Sequence, residues 1–335
     1  MDLETAFERA VVARGPLDAK HDGAVRLFAG FFEGYPALAV DLYARTLVLH
    51  DYSDDAEGDR AAAEQVVARA RARFPWIRSA LWKVRSSADS EARNGVLLFG
   101  DERALDRGIR EHGVAYAIAL RQNRDTSFYL DTRELRAWAK AELSGQRVLN
   151  TFAHTGSLGV AAMAGGAREV VHVDRSKAFL ELAKASYAKN GWPTRRVDFR
   201  AEDIFESVGR LKREGGLFDC VFVDPPFFSE TAKGKVDLAA SATRVLDKVR
   251  PLIGDGGRLV AVNNALFLPG AEFHRELEAM CEGGWLTIER TIGVPDDVKG
   301  FPETRVGTPP VDPAPFEHST KMVVLRVKRK DGRKA

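Results

Sequence analysis

From Arg147 onward, short apolar segments alternate with longer segments of helical character, and this alternation limits the chain to few folds. Strands that alternate with helices of roughly 10–15 residues form βαβ units, whose right-handed crossovers produce a parallel sheet covered by helices on both faces. The five apolar segments are RVLNTFA (147–153), EVVHVD (169–174), RVDFRAED (196–203), FDCVFVDPP (218–226) and GRLVAVNN (257–264). We predict helices between them, over residues 176–190, near 235–252 and up to about residue 283.

The carboxyl-terminal end of the chain predicts two more strands. WLTIERTIG (285–293) and STKMVVLRVK (319–328) flank a Pro- and Gly-rich loop over residues 294–316. Two strands joined by such a loop suit an antiparallel pair at the edge of the sheet. We therefore predict an α/β fold with a seven-stranded, mostly parallel sheet and an antiparallel edge strand.

Residues 1–120 predict a separate, small α+β domain, and residues 121–335 form the predicted catalytic domain. The length of 335 residues fits two domains. Within the first domain we expect a hairpin over residues 40–51, a helix over 56–74, and strands over 77–84, 96–99 and 114–120.

Composition excludes several classes of protein. Fifty basic and 48 acidic residues leave a net charge of +2, and the two cysteines form no disulfide framework. No apolar run reaches the length of about 20 residues that a membrane span needs, and the acidic amino terminus lacks the features of a signal peptide. The seven histidines show no metal-ligand spacing. We expect a cytoplasmic protein without a metal, and the oligomeric state is open, a homodimer included.

The residues that follow the strands predict a nucleotide site, because open α/β sheets bind ligands at the carboxyl ends of their strands. Gly156 allows a tight turn after the first strand, and Ser157 is placed to cap the next helix. The turn lacks the G-x-G-x-x-G pattern of a diphosphate cradle. Asp174 suits a ribose diol or a helix cap, with Ser176 also placed as a cap. Asp203 suits an adenine amino group or, again, a helix cap.

Asp224-Pro225-Pro226-Phe227-Phe228 is the most specific motif of the chain. Two prolines remove two backbone donors, so the carboxylate of Asp224 and a proline carbonyl present only acceptors. This arrangement suits an amine or ring nitrogen of a planar heterocycle. Phe227 and Phe228 are candidate stacking partners, and we expect one of them in the core because adjacent side chains diverge.

These segments resemble the class I S-adenosylmethionine-dependent methyltransferases, most of all the bacterial large-subunit (23S) ribosomal RNA base methyltransferases. The resemblance covers most of the chain, and its matching stretches are residues 121–136, 148–176, 218–228 and 256–264. It implies S-adenosylmethionine as cofactor and RNA, 23S rRNA or its precursor, as partner. Many relatives carry a PUA RNA-binding module ahead of this arrangement, and only residues 1–37 precede the first hairpin here.

The resemblance also implies roles for individual residues. Asp224 to Phe227 would meet the methyl group and the target base. The residues that it implies around the cofactor are Phe128, Leu130, Asp131, Asn150, Phe152, Thr155, Gly156, Asp174, Arg175, Ser176, Asp203, Ile204 and Asp224.

One departure from the family bears on the chemistry. The branch that methylates carbon 5 of cytosine uses a cysteine after the fifth strand as nucleophile, and Asn263-Asn264 stand there instead. The Asn263-Asn264 pair resembles more closely the residues at this position in the branch that methylates a purine nitrogen. Asn263 and Asn264 either contact a base edge or cap the loop. We predict transfer to a base nitrogen; the alternatives are carbon-5 transfer, a small-molecule or protein substrate, and a non-catalytic RNA-binding module.

Overall fold

The structure is a computed structural model that describes residues 2–17, 19–55, 57–122, 125–231, 234–238 and 243–335. No helix in this described part of the chain is both long and apolar enough to cross a membrane.

The amino-terminal part contains short helices and two small sheets. A five-stranded sheet has the order β1-β2-β3-β4-β5, and β6 and β7 form a separate hairpin. The elements are α1 (Leu3–Ala13), β1 (Ala24–Ala29), α2 (Gly30–Glu33), β2 (Leu38–Tyr43), β3 (Thr46–Asp51), α3 (Arg60–Arg73), β4 (Ser79–Val84), α4 (Ser90–Asn94), β5 (Val96–Phe99), β6 (Gly108–Glu111) and β7 (Val114–Ala117).

The remainder of the chain contains the alternating elements that the sequence predicts. They are α5 (Arg133–Glu142), β8 (Arg147–Thr151), α6 (Ser157–Ala164), β9 (Glu169–Asp174), α7 (Lys177–Lys189), β10 (Phe199–Ala201), α8 (Ile204–Glu214), β11 (Phe218–Val223), β12 (Phe228–Thr231), β13 (Gly234–Asp237), α9 (Thr243–Val249), β14 (Ile253–Asn263), α10 (Gly270–Cys281), β15 (Leu286–Ile292), α11 (Asp296–Lys299) and β16 (Lys321–Val327). Single 3₁₀ turns lie at Glu102–Ala104, Arg196–Asp198 and Arg250–Leu252.

The chain divides into two compact units. Unit 1 contains Met1–Asp131 and Pro295–Thr308, and unit 2 contains Thr132–Val294 and Pro309–Ala335. Residues 121–131 lie with unit 1, rather than after the boundary predicted at residue 120, because the Tyr43 hydroxyl donates to the Phe128 carbonyl at 2.9 Å. The return of residues 295–308 to unit 1 was not predicted; there the Arg26 N–H donates to the Asp297 carboxylate at 2.9 Å.

Unit 2 is built on one seven-stranded sheet with the order β10-β9-β8-β11-β14-β16-β15. The strands from β10 to β14 are parallel, and β16 is antiparallel to both of its neighbours. The predicted α/β class with a mostly parallel sheet is confirmed. The reversed strand lies one position in from the edge, since β16 inserts between β14 and β15. The strand order changes direction between β8 and β11, where such sheets bind ligands.

One predicted helix is wrong in its first half. Residues 228–231 pair with residues 234–237 as the antiparallel strands β12 and β13, helix α9 spans Thr243–Val249, and residues 239–242 lie outside the described residues. Val236 and Leu238 are both buried, which is the period of two of a strand and not the period of a helix. The Leu238 N–H also donates to the Phe227 carbonyl at 3.0 Å and closes the hairpin.

The predicted helix over residues 56–74 is shorter in the structure. It begins at Arg60 because the Asp59 carboxylate accepts the Ala62 N–H at 2.9 Å and caps it. Ala56 lies outside the described residues. Helix α7 matches its predicted range closely, and the Ser176 hydroxyl caps it by accepting the Phe179 N–H at 3.3 Å.

The side chain of His172 determines how closely helix α6 packs on strand β9. Its buried ring stacks on Phe199, with ring centroids 5.1 Å apart, and lies 3.1 Å from the Tyr187 hydroxyl oxygen. A Cβ atom added at Gly159 would lie 2.4 Å from Cε1 of His172. Glycine is therefore required at residue 159 for α6 to pack closely on β9.

We expect Gly159→Ala to destabilise the protein by about 1–3 kcal/mol, since an added methyl group overpacks the core. Gly209 is also inside a helix, but a Cβ there would meet only Arg213 Nη1 at 3.7 Å. Gly209→Ala should therefore stabilise α8 by about 0.5–1 kcal/mol. Urea unfolding of both variants measures the difference, and equal effects would contradict the packing role of Gly159.

Candidate active site

The strand register brings the predicted site residues to one edge of the sheet. Thr151 of β8 pairs with Val173 of β9 and with Val223 of β11. Val223 pairs in turn with Ala261 of β14. Phe152, Asp174 and Asp224 therefore follow at the same level, and Asn263 lies one residue further. Ala201 of β10 pairs with Asp174, which places Asp203 beside this group.

The loop after β8 has an unusual backbone. Phe152, His154 and Gly156 have φ values of 51°, 49° and 78°. The left-handed region disfavours residues with a Cβ, so two of these three positions carry backbone strain. Such strain persists only where the surroundings hold the backbone, and it is concentrated at functional sites.

Asp174 holds this strained loop. Its Oδ2 atom accepts the His154 N–H at 2.8 Å, and its Oδ1 atom accepts the Ser176 N–H at 2.8 Å. Burial raises the pKa of the carboxyl group, and the two backbone N–H groups oppose that shift. Each oxygen keeps a second lone pair, so the carboxylate can still accept from two hydroxyl groups. Ser176, and not Asp174, is the N-cap of helix α7.

The role that the sequence assigns to Ser157 is wrong. Gly156 is the N-cap of α6 and no side chain caps the helix there, so Ser157 is its first residue. Packing is one reason for glycine at residue 156: a Cβ there would lie 2.6 Å from the Cβ of Ala183. Thr155 is buried beside it.

The loop after β10 contacts the end of β9, where Asp174 lies. The Glu202 N–H donates to the Asp174 carbonyl at 3.0 Å. Asp203 caps α8 by accepting the Phe205 N–H at 2.9 Å, which is the alternative role that the sequence leaves open. Ile204 is buried in the core of unit 2, and Arg175 is exposed.

The structure shows packing contacts or a unit assignment, and no test of cofactor contact, for four residues that the resemblance assigns to the cofactor. Asn150 is buried within β8, and its Nδ2 lies 3.4 Å from Nδ1 of His172. Phe128 and Leu130 are buried in unit 1, where the Phe128 ring is 4.9 Å from that of Tyr116. Asp131 is the last residue of that segment of unit 1. Their contact with a cofactor stays a prediction.

The acceptor motif follows β11 directly. Asp224 is half-buried, Pro225 is buried and Pro226 is exposed. Phe227 and Phe228 are 49% and 51% exposed, so the expectation that one of them lies in the core is wrong. Phe228 is the first residue of β12 and pairs with Asp237 of β13, whereas Val236 and Leu238 are buried in the core of unit 2.

Asn263 caps the loop after β14. It is fully buried, and its Oδ1 accepts the Ala265 N–H at 2.9 Å. Its Nδ2 has no hydrogen-bond partner among the residues that the structure describes. Asn264 is exposed. The loop-capping role is thus present, and contact of either asparagine with a base edge stays a prediction.

Lys321 is a buried residue of this region that the sequence reasoning missed. Its Nζ donates to the Ala265 carbonyl at 3.0 Å and to the Ser319 carbonyl at 2.8 Å. Burial lowers the pKa of Lys321 to about 8. A lysine within a β-strand pattern gives no sign of its burial, because that depends on the loop that covers it.

Neither cysteine is placed as a nucleophile. Cys220 is fully buried within β11, and burial raises the pKa of its thiol. Cys281 is the last residue of helix α10, which connects β14 to β15, and burial raises the pKa of its thiol. Across the part of the chain that is described, no three His, Cys, Asp or Glu side chains are grouped to hold a metal ion.

A family model described as S-adenosylmethionine-dependent methyltransferase matches residues 61–302. The chain belongs to this family. The cofactor of the family is S-adenosylmethionine, which confirms the cofactor expected from the sequence. The family match spans Asp174, Asp224 and Asn263, the strand-end residues described above.

Known relatives share the family and cover most of this chain. The Ribosomal RNA large subunit methyltransferase I of Erwinia tasmaniensis is 31% identical over 235 residues, 70% of this chain and 59% of that protein. The protein of the same name from Aeromonas hydrophila is 34% identical over 240 residues, 69% and 59% of the two chains. The chain thus spans about three fifths of the length of these relatives.

A solved structure shows the same fold over almost the whole chain. It is described as a methyltransferase complexed with SAH, and it matches with a TM-score of 0.82 and 21% identity. The match covers 97% of this chain and 81% of that one.

The buried ring of His172 makes the stability of this family member dependent on pH. Burial lowers the pKa of His172 from its ordinary value of 6.5 to about 3. The unfolded chain therefore takes up a proton below pH 6.5 that the folded chain does not, and stability falls as the pH drops from 6.5 toward 3 at up to about 1.4 kcal/mol per pH unit.

We expect the free energy of unfolding of the wild type to fall between pH 7 and pH 5 by about 2 kcal/mol more than that of His172→Gln. Urea unfolding at the two pH values measures this. His274→Gln, a partly exposed histidine on α10, is the control and should behave like the wild type. An identical pH dependence in the wild type and His172→Gln would contradict the assignment.

Proposed function

We propose that this protein transfers a methyl group from S-adenosylmethionine to a base nitrogen of large-subunit ribosomal RNA, 23S rRNA or its precursor. The observation that carries the proposal is the acceptor turn of Asp224, Pro225 and Pro226, which leaves β11 beside the strained loop that Asp174 holds. Membership of the family indicates the cofactor. The hydrogen-bond acceptors of Asp224 and Pro225 favour a nitrogen that carries hydrogens as the methyl acceptor.

The residues of unit 2 fit the cofactor. Asp174 is fixed by two backbone N–H groups and keeps acceptor capacity for the two ribose hydroxyls. Phe152, Thr155 and Gly156 would lie along the methionine part, Arg175 and Ser176 beside the ribose, and Asp203 and Ile204 near the adenine. When bound, S-adenosylmethionine supplies an electrophilic methyl group on a sulfonium sulfur.

Asp224 and the Pro225 carbonyl would orient the acceptor. An exocyclic amine donates its hydrogens to these two oxygens, and its lone pair then points away from them toward the methyl group. Transfer to nitrogen needs alignment and exclusion of water and requires no covalent intermediate with the protein. The proton released from the amine is then within reach of the Asp224 carboxylate.

The cysteines argue against transfer to carbon 5 of cytosine. That reaction needs a thiolate to add to carbon 6 first. Cys220 is fully buried and Cys281 is partly buried at the end of α10, and burial raises the pKa of both thiols. The acceptor favoured by the site is therefore nitrogen.

RNA as the substrate class is supported by the relatives and by the exposed aromatic residues. The curated relatives are named for large-subunit ribosomal RNA. A base in structured RNA must leave its stack to reach a pocket at the end of a strand, and it is then held between aromatic side chains. Phe227, next to the acceptor turn, is 49% exposed and is available for this contact.

Two substitutions separate cofactor binding from transfer. We expect Asp174→Ala to weaken the binding of S-adenosylmethionine at least 10-fold, because it removes the ribose acceptor and releases the His154 N–H. Asp224→Ala should keep cofactor affinity within about threefold and lower methyl transfer to rRNA at least 100-fold. Calorimetry and transfer of a radioactive methyl group to rRNA measure the two effects.

Asp247→Ala is the matched control, since the Asp247 side chain is 59% exposed on α9 and its carboxylate lies 3.9 Å from Nε of Arg250. Unchanged cofactor binding in Asp174→Ala would refute the placement of the ribose. Unchanged methyl transfer to rRNA by Asp224→Ala would refute the role of the acceptor turn, whereas no transfer by the wild type would favour a non-catalytic binding module.

A further inference from the structure

The loop that follows β14 exposes large apolar side chains to solvent. Leu266 is 44% exposed and Phe267 is 70% exposed. Residues 261–270 contain no charged side chain. Exposed apolar surface of this kind is unfavourable in water and marks a contact surface when it is held in place.

The loop is held firmly at its base. The N–H of Ala265 donates to Oδ1 of Asn263, and the carbonyl of Ala265 accepts from Nζ of Lys321. Both backbone polar groups of Ala265 are therefore held by buried side chains. Ala265 and Leu268, on either side of the exposed pair, are buried. The exposure of Leu266 and Phe267 is therefore built into the fold.

The exposed pair lies at the edge of the sheet that carries the acceptor turn. Strand β14 is the parallel neighbour of β11, and both loops leave the carboxyl ends of these strands. Phe227 and Phe228 are about half exposed after β11, and Leu266 and Phe267 are 44% and 70% exposed after β14. Exposed apolar side chains thus follow both of these neighbouring strands.

We propose that Leu266 and Phe267 form a stacking platform for the nucleotide adjacent to the target base in an unpaired stretch of RNA. This inference rests on the proposed function. When the target base leaves its stack, its neighbour loses a stacking partner at this same edge. An aromatic ring replaces that partner, and an uncharged loop suits a base better than a phosphate.

Asn263 and Lys321 then act as positioning residues. Asn263 holds the N–H of Ala265 and Lys321 holds its carbonyl, and together they present Phe267 to the RNA. This gives the buried lysine a function that requires no contact with the substrate.

The experiment measures KM for unmodified 23S rRNA transcribed in vitro, together with kcat and the affinity for S-adenosylmethionine. We expect Phe267→Ala and Phe267→Leu to raise KM about 10-fold, since base–aromatic stacking contributes on that scale. Both variants should keep kcat and cofactor affinity within about twofold, and Phe267→Trp should keep the wild-type KM. Val197→Ala is the control, because Val197 is 62% exposed at the amino end of β10, on the opposite edge.

Three results would overturn the inference. The first is a KM for Phe267→Ala within twofold of the wild type. The second is a wild-type KM for Phe267→Leu, which would show that no ring is needed. The third is a KM of Phe267→Ala that is raised for ribosomal particles but not for naked rRNA, which would indicate that the surface contacts a ribosomal protein. Failure of the wild type to methylate any RNA would instead refute the proposed function.

Discussion

The carboxylate of Asp174 is the interaction on which the site depends. It accepts N–H groups from the loop after β8 and from the start of the segment that leads into α7, and so joins the ends of two neighbouring strands. The loop that it holds has a left-handed backbone at Phe152 and His154, a conformation that needs support from outside the loop. The same carboxylate keeps the lone pairs that a ribose requires.

The same arrangement recurs along the edge of the sheet. Asp203 accepts the Phe205 N–H, and Asn263 accepts the Ala265 N–H. The ends of β9, β10 and β14 thus each carry a short polar side chain that fixes the backbone of the loop that follows. A role in the fold and a role in binding are compatible at these positions, because a loop fixed in advance loses little freedom when a ligand binds. An Asp or Asn directly after a strand is therefore expected in the sequence both for a loop-capping residue and for a ligand-binding residue.

The sequence alone predicted the parallel sheet, because β9 and β11 read as continuous apolar segments that end at an aspartate. It also predicted that Asp224, Pro225 and Pro226 follow a strand of this sheet, and their role toward an acceptor stays a prediction. It did not predict the antiparallel pairing of residues 228–231 with 234–237, where the burial of Val236 and Leu238 in the core of unit 2 outweighs local helical character. The burial of His172 and Lys321 was also missed, since it depends on Gly159 and on the loop at Ala265, far away in sequence. Local patterns do not carry that information.

The identity of the methylated atom distinguishes transfer to a base nitrogen from transfer to carbon 5 of cytosine. The protein, S-adenosylmethionine with a labelled methyl group, and unmodified 23S rRNA are incubated, and the labelled nucleoside is identified by mass spectrometry against synthetic standards. We expect a nucleoside methylated on a base nitrogen, because the site offers hydrogen-bond acceptors and neither cysteine thiol is exposed. Label recovered as 5-methylcytidine would contradict it.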